Sequence, residues 1–246
     1  MVRAGTSVTR PPTAPQEDAM SDSSSPSLPS LPGRIVAVFV SPGRLFEQLR
    51  DKPVWGATMV LLVVLNVIMM FLLPAELFEA QIRQSVADAG MGEEEIAVAV
   101  TVGRYAGIAM AGVMGAVGSF VVGTVLFFVF ATMLGDKGRF RQYLSVVVHA
   151  LVVSSVGALA QVPLKRSAGD MELVLSLGTF APFLDEGFLL SFLSAIGLFG
   201  IWCAMLMAIG ITRIQPTRSW GGAFSIVMVL YGVFALGAAG IASMVS

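Results

Sequence analysis

An all-α polytopic membrane fold, five transmembrane helices behind a disordered N-terminal tail, is predicted by three observations. Hydrophobic residues make up 56% of the 246 and charged residues only 13%, with a mean hydropathy of +0.83, where an ordinary soluble domain carries about 25% charge. So few charges cannot cover the wet surface of a soluble domain of this size. The apolar residues also gather in runs that reach the length of about 20 residues a helix needs to cross roughly 30 Å of hydrocarbon. Thirdly, no alternation of period two marks a membrane barrel. The same composition excludes disordered and collagen-like classes, and the single cysteine, Cys203, cannot form an intramolecular disulfide. A net charge of −1 offers no footprint for nucleic acid.

Residues 1–30 combine Pro, Ser and Thr with scattered charge and show no apolar period, so a disordered cytoplasmic tail is expected over 1–33 and a membrane domain over 34–244. No signal-peptide core precedes Val54, which makes the first span its own insertion signal. Ser41 and Pro42 suit an N-cap and first helical position, and Leu45, Phe46 and Leu49 form an apolar stripe beside Arg44, Arg50 and Lys52. A helix over about 41–52 therefore either lies in the interface against anionic headgroups or packs on the bundle.

The first span, 54–73, is uncharged, entered through Pro53 and Trp55 and closed by Pro74. A loop of amphipathic pattern (Leu77, Phe78, Ile82, Val86) follows, and Glu93, Glu94 and Glu95 open a further helical stretch, acids being favoured at a helix N-terminus. The second span is expected over 105–134, one long crossing that must tilt or protrude. The third, 142–162, holds the only histidine, His149. Met171 to Leu184 is too short for an ordinary span and reads as interfacial or re-entrant; taken as a sixth helix it would reverse the C-terminus. The fourth and fifth spans are expected over 187–212 and 222–243.

Charge orients these spans, because basic residues near span ends are retained in the cytoplasm. Segment 1–53 and the loops at 135–141 and 213–221 hold 11 Lys or Arg against 6 acids; the alternate segments hold 4 against 10. The N-terminus is thus expected in the cytoplasm and the C-terminus outside, in a cytoplasmic (inner) membrane.

Candidate residues are few. Small side chains recur every four positions along the second span, at Gly103, Gly107, Ala111, Gly115, Ser119 and Gly123, and again at Gly200, Ala204 and Ala208 in the fourth. Close backbone approach over such stripes drives helix association in lipid, either as a seam between copies or as packing inside the bundle. His149 is the one strongly ionisable side chain well inside a span, with Ser145 a turn before it and Ser154 beyond. It is either a satisfied structural histidine or part of a polar transport path. No HExxH, P-loop or dinucleotide fingerprint is present, and Gly118, Ser119 and His149 make only a forced hydrolase set. No catalytic, cofactor or metal residues are assigned, so the expected activity is non-enzymatic. The expected partners are membrane lipid and a second copy or another protein.

Several ordered motifs resemble the Yip domain family, the Ypt (Rab) GTPase-interacting membrane proteins. They are Ser41-Pro42 with Phe46 and Leu49, then Pro53-Val54-Trp55, the basic turn Gly138 to Leu144, and Phe199-Gly200-Ile201-Trp202 leading to Ala208-Ile209-Gly210. The resemblance implies five membrane helices and a cytoplasmic N-terminus. Eukaryotic relatives are associated with Rab GTPases and vesicle traffic. This chain lacks their acidic, tyrosine-bearing motifs before the first span, which argues against GTPase binding and for similarity to the bacterial branch.

Overall fold

The structure is a computed structural model describing residues 28–85, 90–170, 173–185 and 187–245, with side chains described as far as Gly240. Nine α-helices run through these residues: α1 Leu31–Val40, α2 Pro42–Asp51, α3 Gly56–Leu72, α4 Ala75–Ser85, α5 Glu93–Phe127, α6 Phe140–Ala168, α7 Phe188–Ser194, α8 Leu198–Ile214 and α9 Trp220–Val245.

The central stave is α6, which packs against α3, α5, α8 and the short α1 and α2. Every residue from Tyr143 to Ala150 is buried, although no charge and few large side chains mark that stretch. Around it, α5 and α9 each bury one face only. Their outer ridges, among them Val113, Val117 and Val121 on α5 and Val229, Val233 and Phe234 on α9, remain exposed. In a chain this apolar such ridges face lipid.

Among the described residues three helices are long and apolar enough to cross a bilayer: α5 with its π-helical extension (Glu93–Met133), α6, and α9 as far as Gly240. A fourth crossing results if α3 and α4, bent by 83° from each other, count as one. The bend has a local cause. Pro74 lacks a backbone N–H and forces Leu73 into extended geometry at φ −70° and ψ 136°, so the helix started at Gly56 ends after 17 residues.

Other expectations need correction. The helical stretch opened by Glu93 and the second span are one helix, whose N-terminus is closed by Glu95 accepting the Gly92 N–H at 2.9 Å. The 41 residues to Met133 make about 60 Å at 1.5 Å rise, twice the hydrocarbon thickness. The chain leaves it through Gly135 at φ +74°, in the left-handed region that a side chain disfavours. The expected tail is also too long: Leu31 to Gly33 begin α1, a helix whose proline-containing first turn suits a helix start. Residues 1–27 lie outside the described residues, as do Met171 and Glu172 of the Met171 to Leu184 stretch.

The expected span 187–212 is not one helix. It breaks at Ala195–Gly197 into α7 and α8, and the backbone groups freed there find partners. Leu177 N–H donates to Ile196 O at 3.0 Å and Leu198 N–H to Leu175 O at 2.9 Å, forming an antiparallel bridge between Ser176 and Gly197. The Tyr231 hydroxyl of α9 accepts the Gly197 N–H at 3.0 Å and donates to Ala195 O at 3.2 Å. Irregular backbone packed among apolar helices needs such partners, since an unpaired buried backbone group is costly. The segment 173–185 supplies this bridge and one 3₁₀ turn, Gly178–Phe180.

Candidate functional site

Two turns of α6 carry a row of polar side chains, Gln142, Ser145 and His149, aimed at the junction between α2 and α3. The junction needs them. The last carbonyls of a helix have no intrahelical donors, and Pro53 contributes no N–H. Gln142 Nε2 donates to Arg50 O at 2.7 Å while its Oε1 accepts the Arg139 N–H at 2.7 Å. Ser145 Oγ donates to Val54 O at 2.9 Å. One helix face thereby holds the chain as it turns into α3.

His149 completes the row and is fully buried. Its Nδ1 lies 2.7 Å from Ser145 O, which can only accept, so Nδ1 carries the proton. Nε2 is then the acceptor for the Thr58 hydroxyl of α3, at 3.0 Å. Both ring nitrogens of a neutral imidazole are therefore satisfied inside the bundle. A second polar link joins α6 to α8: Cys203 Sγ contacts Ala150 O and Ser154 Oγ, each at 3.0 Å.

The small residues lie at helix contacts within the chain. Gly107 faces Met70 and Phe78, Gly115 faces Asn66, and Gly123 lies against Leu144. Ala111 is half-buried between them; Ser119 is buried and donates to Gly115 O at 2.7 Å. On α8, Ala204 and Ala208 are buried in the core and Gly200 lies under the Tyr231 ring. The hydroxyl of Ser119 and the ring nitrogens of His149 thus have separate partners and form no nucleophile and base pair. Among the described residues no group of three or more His, Cys, Asp or Glu is placed to hold a metal.

At the end of the bundle formed by the loops 134–139 and 215–219, charges pair. Arg218 Nε donates to Asp136 Oδ2 at 3.0 Å and Nη2 donates to Oδ1. The guanidinium also lies 5.1 Å above the Phe130 ring, which stacks on buried Tyr143. Its hydrogen bonds to Asp136 raise the Arg218 pKa above the ordinary value. Arg213 of α8 reaches Glu47 of α2 at 2.8 Å.

Sequence reasoning missed three participants. Thr58 is an unremarkable threonine in an apolar helix, and Tyr231 is one aromatic among many; neither has a local signal, since each role is created by a distant partner. Arg34 counted only as an orienting charge, yet it is buried on the inner side of α1, with 7% of its surface exposed, and its Nε and Nη1 have no hydrogen-bond partner.

The sequence pattern of the Yip1 domain matches residues 36–241. A protein of Bacillus subtilis (strain 168) described as membrane protein YknW is 24% identical over 206 residues, covering 81% of this chain and 85% of that protein. No solved structure matches.

Proposed function

We propose that this chain, which belongs to the Yip1 domain family, is a non-enzymatic organiser of a bacterial cytoplasmic membrane, acting as a scaffold through helix packing and contacts with lipid and a protein partner. The observation carrying this reading is the saturation of His149. The fully buried imidazole has both ring nitrogens bound, to Ser145 O and Thr58, and serves cohesion between α6 and α3. Outside the bundle, the apolar ridges of α5 and α9 are left exposed.

The proposal includes five crossings, made by α3, α5, α6, the broken α7–α8 pair and α9, with the N-terminus in the cytoplasm. The charge asymmetry between alternate segments supports that count and direction. Single-residue photo-crosslinkers placed at Val121 and Phe234 in native membranes test the scaffold. A recurrent protein adduct at either ridge, a second copy of this chain included, is the expected result; adducts with lipid alone at both would overturn it.

A further inference from the structure

α3 and α6 run side by side in the same direction, with Ser145 bonded to Val54 O and His149 to Thr58. Counting equal steps along both helices from the second bond brings Leu72 level with Pro163. There α3 stops, because the chain turns by 83° at Pro74 into α4, while α6 continues to Ala168. A groove of about 650 Å³ remains beside the end of α3, within the range of about 300 to 1,000 Å³ usual for ligand sites. Leu72, Leu159, Val162 and Pro163 form its apolar part, and Arg166 and Ser167 line the same groove at its far end.

The period of α6 produces this arrangement, since 159, 162, 163 and 166 share one helix face. Val162 is buried, whereas Leu72 and Pro163 are exposed, so the groove opens sideways from the bundle. Arg166 is exposed and makes no ion pair among the described residues. Glu79 and Glu93, acids of the adjoining α4 and α5, are taken up by Arg83. Ser167 Oγ donates its proton to Leu164 O at 2.9 Å, which leaves the oxygen as an acceptor.

We propose that the groove holds an anionic phospholipid of the outer leaflet, with its phosphate on Arg166, a headgroup hydroxyl on Ser167 and an acyl chain along Leu159 and Leu72. The depth suits it. Ser145 marks the point where the chain enters α3 beside Trp55, and Arg166 follows about 20 residues later, roughly 30 Å of helix and one hydrocarbon thickness. The guanidinium is a planar fork that matches a phosphate through two parallel hydrogen bonds. A free anion would use the fork and leave the apolar part empty, and an apolar helix of another protein would fill that part and leave Arg166 unpaired. A phospholipid meets both. The proposal deepens the lipid contact of the scaffold reading and rests on its membrane placement. Val121 and Phe234 lie on other helices, so crosslinking there can fail while this site stands, and the reverse.

The test uses the full chain in phosphatidylcholine vesicles containing a trace of phosphatidylglycerol with a diazirine on one acyl chain. After illumination, adducts are mapped by peptide mass spectrometry. Labelling is expected at Leu72 and within 159–163, reduced about tenfold in Arg166→Gln and to a smaller extent in Arg166→Lys, which keeps the charge but not the fork. Because Arg166 is exposed, both variants keep the melting temperature of the wild type. Leu72→Trp, which fills the groove and leaves the charge in place, also lowers labelling within 159–163. Phosphatidylcholine with the same probe has no net charge and no headgroup hydroxyl, and labels the wild type as weakly as phosphatidylglycerol labels Arg166→Gln. Equal labelling of wild type and Arg166→Gln by phosphatidylglycerol would overturn the proposal. So would equal labelling of the wild type by the two lipids, which would reduce the groove to ordinary contact with the bilayer, or a wild-type groove without adducts, which would give it to protein packing. Excess inorganic phosphate leaves the labelling unchanged; displacement by it would assign Arg166 to a free anion and refute the lipid.

Discussion

Thr58 and His149 stand 91 positions apart in the chain, and the threonine hydroxyl donates to the imidazole across 3.0 Å between α3 and α6. The bond ties the first apolar helix to the central one at a depth where no water competes. Interhelical hydrogen bonds in lipid contribute about 0.6 kcal/mol on average and up to about 1.7. Thr58→Val, which preserves shape, is therefore expected to cost about 1 kcal/mol in a reversible unfolding experiment in bicelles. In a double-mutant cycle with His149→Phe the coupling should be of the same size. Additive costs would show that the pair does not interact.

Glycines on helix faces divide by what stands opposite. A Cβ on Gly210 would collide with the branched Cβ and methyls of Val146, a buried residue on the central helix with little freedom to turn aside. Gly210→Ala should destabilise by about 1 to 3 kcal/mol. Gly118 has nothing within 4 Å of the same position. Gly118→Ala should be neutral or stabilise by up to about 1 kcal/mol, the helix-propensity difference. Unfolding of both variants side by side checks the contrast, and equal effects would contradict the packing.

The break between α7 and α8 depends on one hydroxyl. Tyr231 Oη accepts from Gly197 and donates to Ala195 O, so Tyr231→Phe leaves a donor and an acceptor without their partner. A loss of about 1 to 3 kcal/mol is expected, together with faster hydrogen exchange confined to 195–198 and the bridged strand near Leu175. Unchanged exchange there would mean that the Ser176 bridge alone holds the break.

That break marks the limit of what hydropathy shows. Membrane class, the helical runs and the polar candidate His149 are local properties of composition and are legible in the chain. A window average over 187–212 sees an apolar run, and Gly197, the residue before α8, is one glycine of several in it; the interruption is held because Gln161, Tyr231 and the segment 173–177 supply partners from elsewhere. The same holds for His149. Its spacing from Ser145 suggests a local partner, but Thr58 is identifiable only once α3 lies against α6. Arg34 was readable as a charge and not as a buried one, because α1 is too short and too glycine- and proline-rich at its start to announce itself as a helix.

The ion pair of Asp136 with Arg218 should be more than a surface contact, since the Asp136 side chain is 3% exposed and that of Arg218 18%. Asp136→Asn removes the charge yet keeps the shape, leaving the guanidinium over Phe130 without its counterion. A loss of about 1.5 to 3 kcal/mol is expected, the range for hydrogen bonds to charged groups. Arg218→Gln in the Asp136→Asn background should cost less than Arg218→Gln alone; an equal cost would assign the contribution of Arg218 to ring packing.

The same loop is the place to test the proposed orientation. Lys137, Arg139 and Arg141 crowd the connection between α5 and α6, and the alternate connections carry an excess of acid, a pattern that supports the proposed cytoplasmic placement of this loop through retention of positive charge. Asp136, the one acid within it, is neutralised by Arg218 from the neighbouring loop, which binds together two segments that must then lie on the same side. A Lys137→Cys variant is expected to react with an impermeant maleimide in inverted vesicles and not in intact cells. The native Cys203 is buried and should stay unlabelled in both. A cysteine at Glu94, near the opposite end of α5, should show the reverse pattern. Labelling of position 137 from outside intact cells would invert the whole topology, since the pairing of Asp136 with Arg218 carries the 215–219 loop along with it.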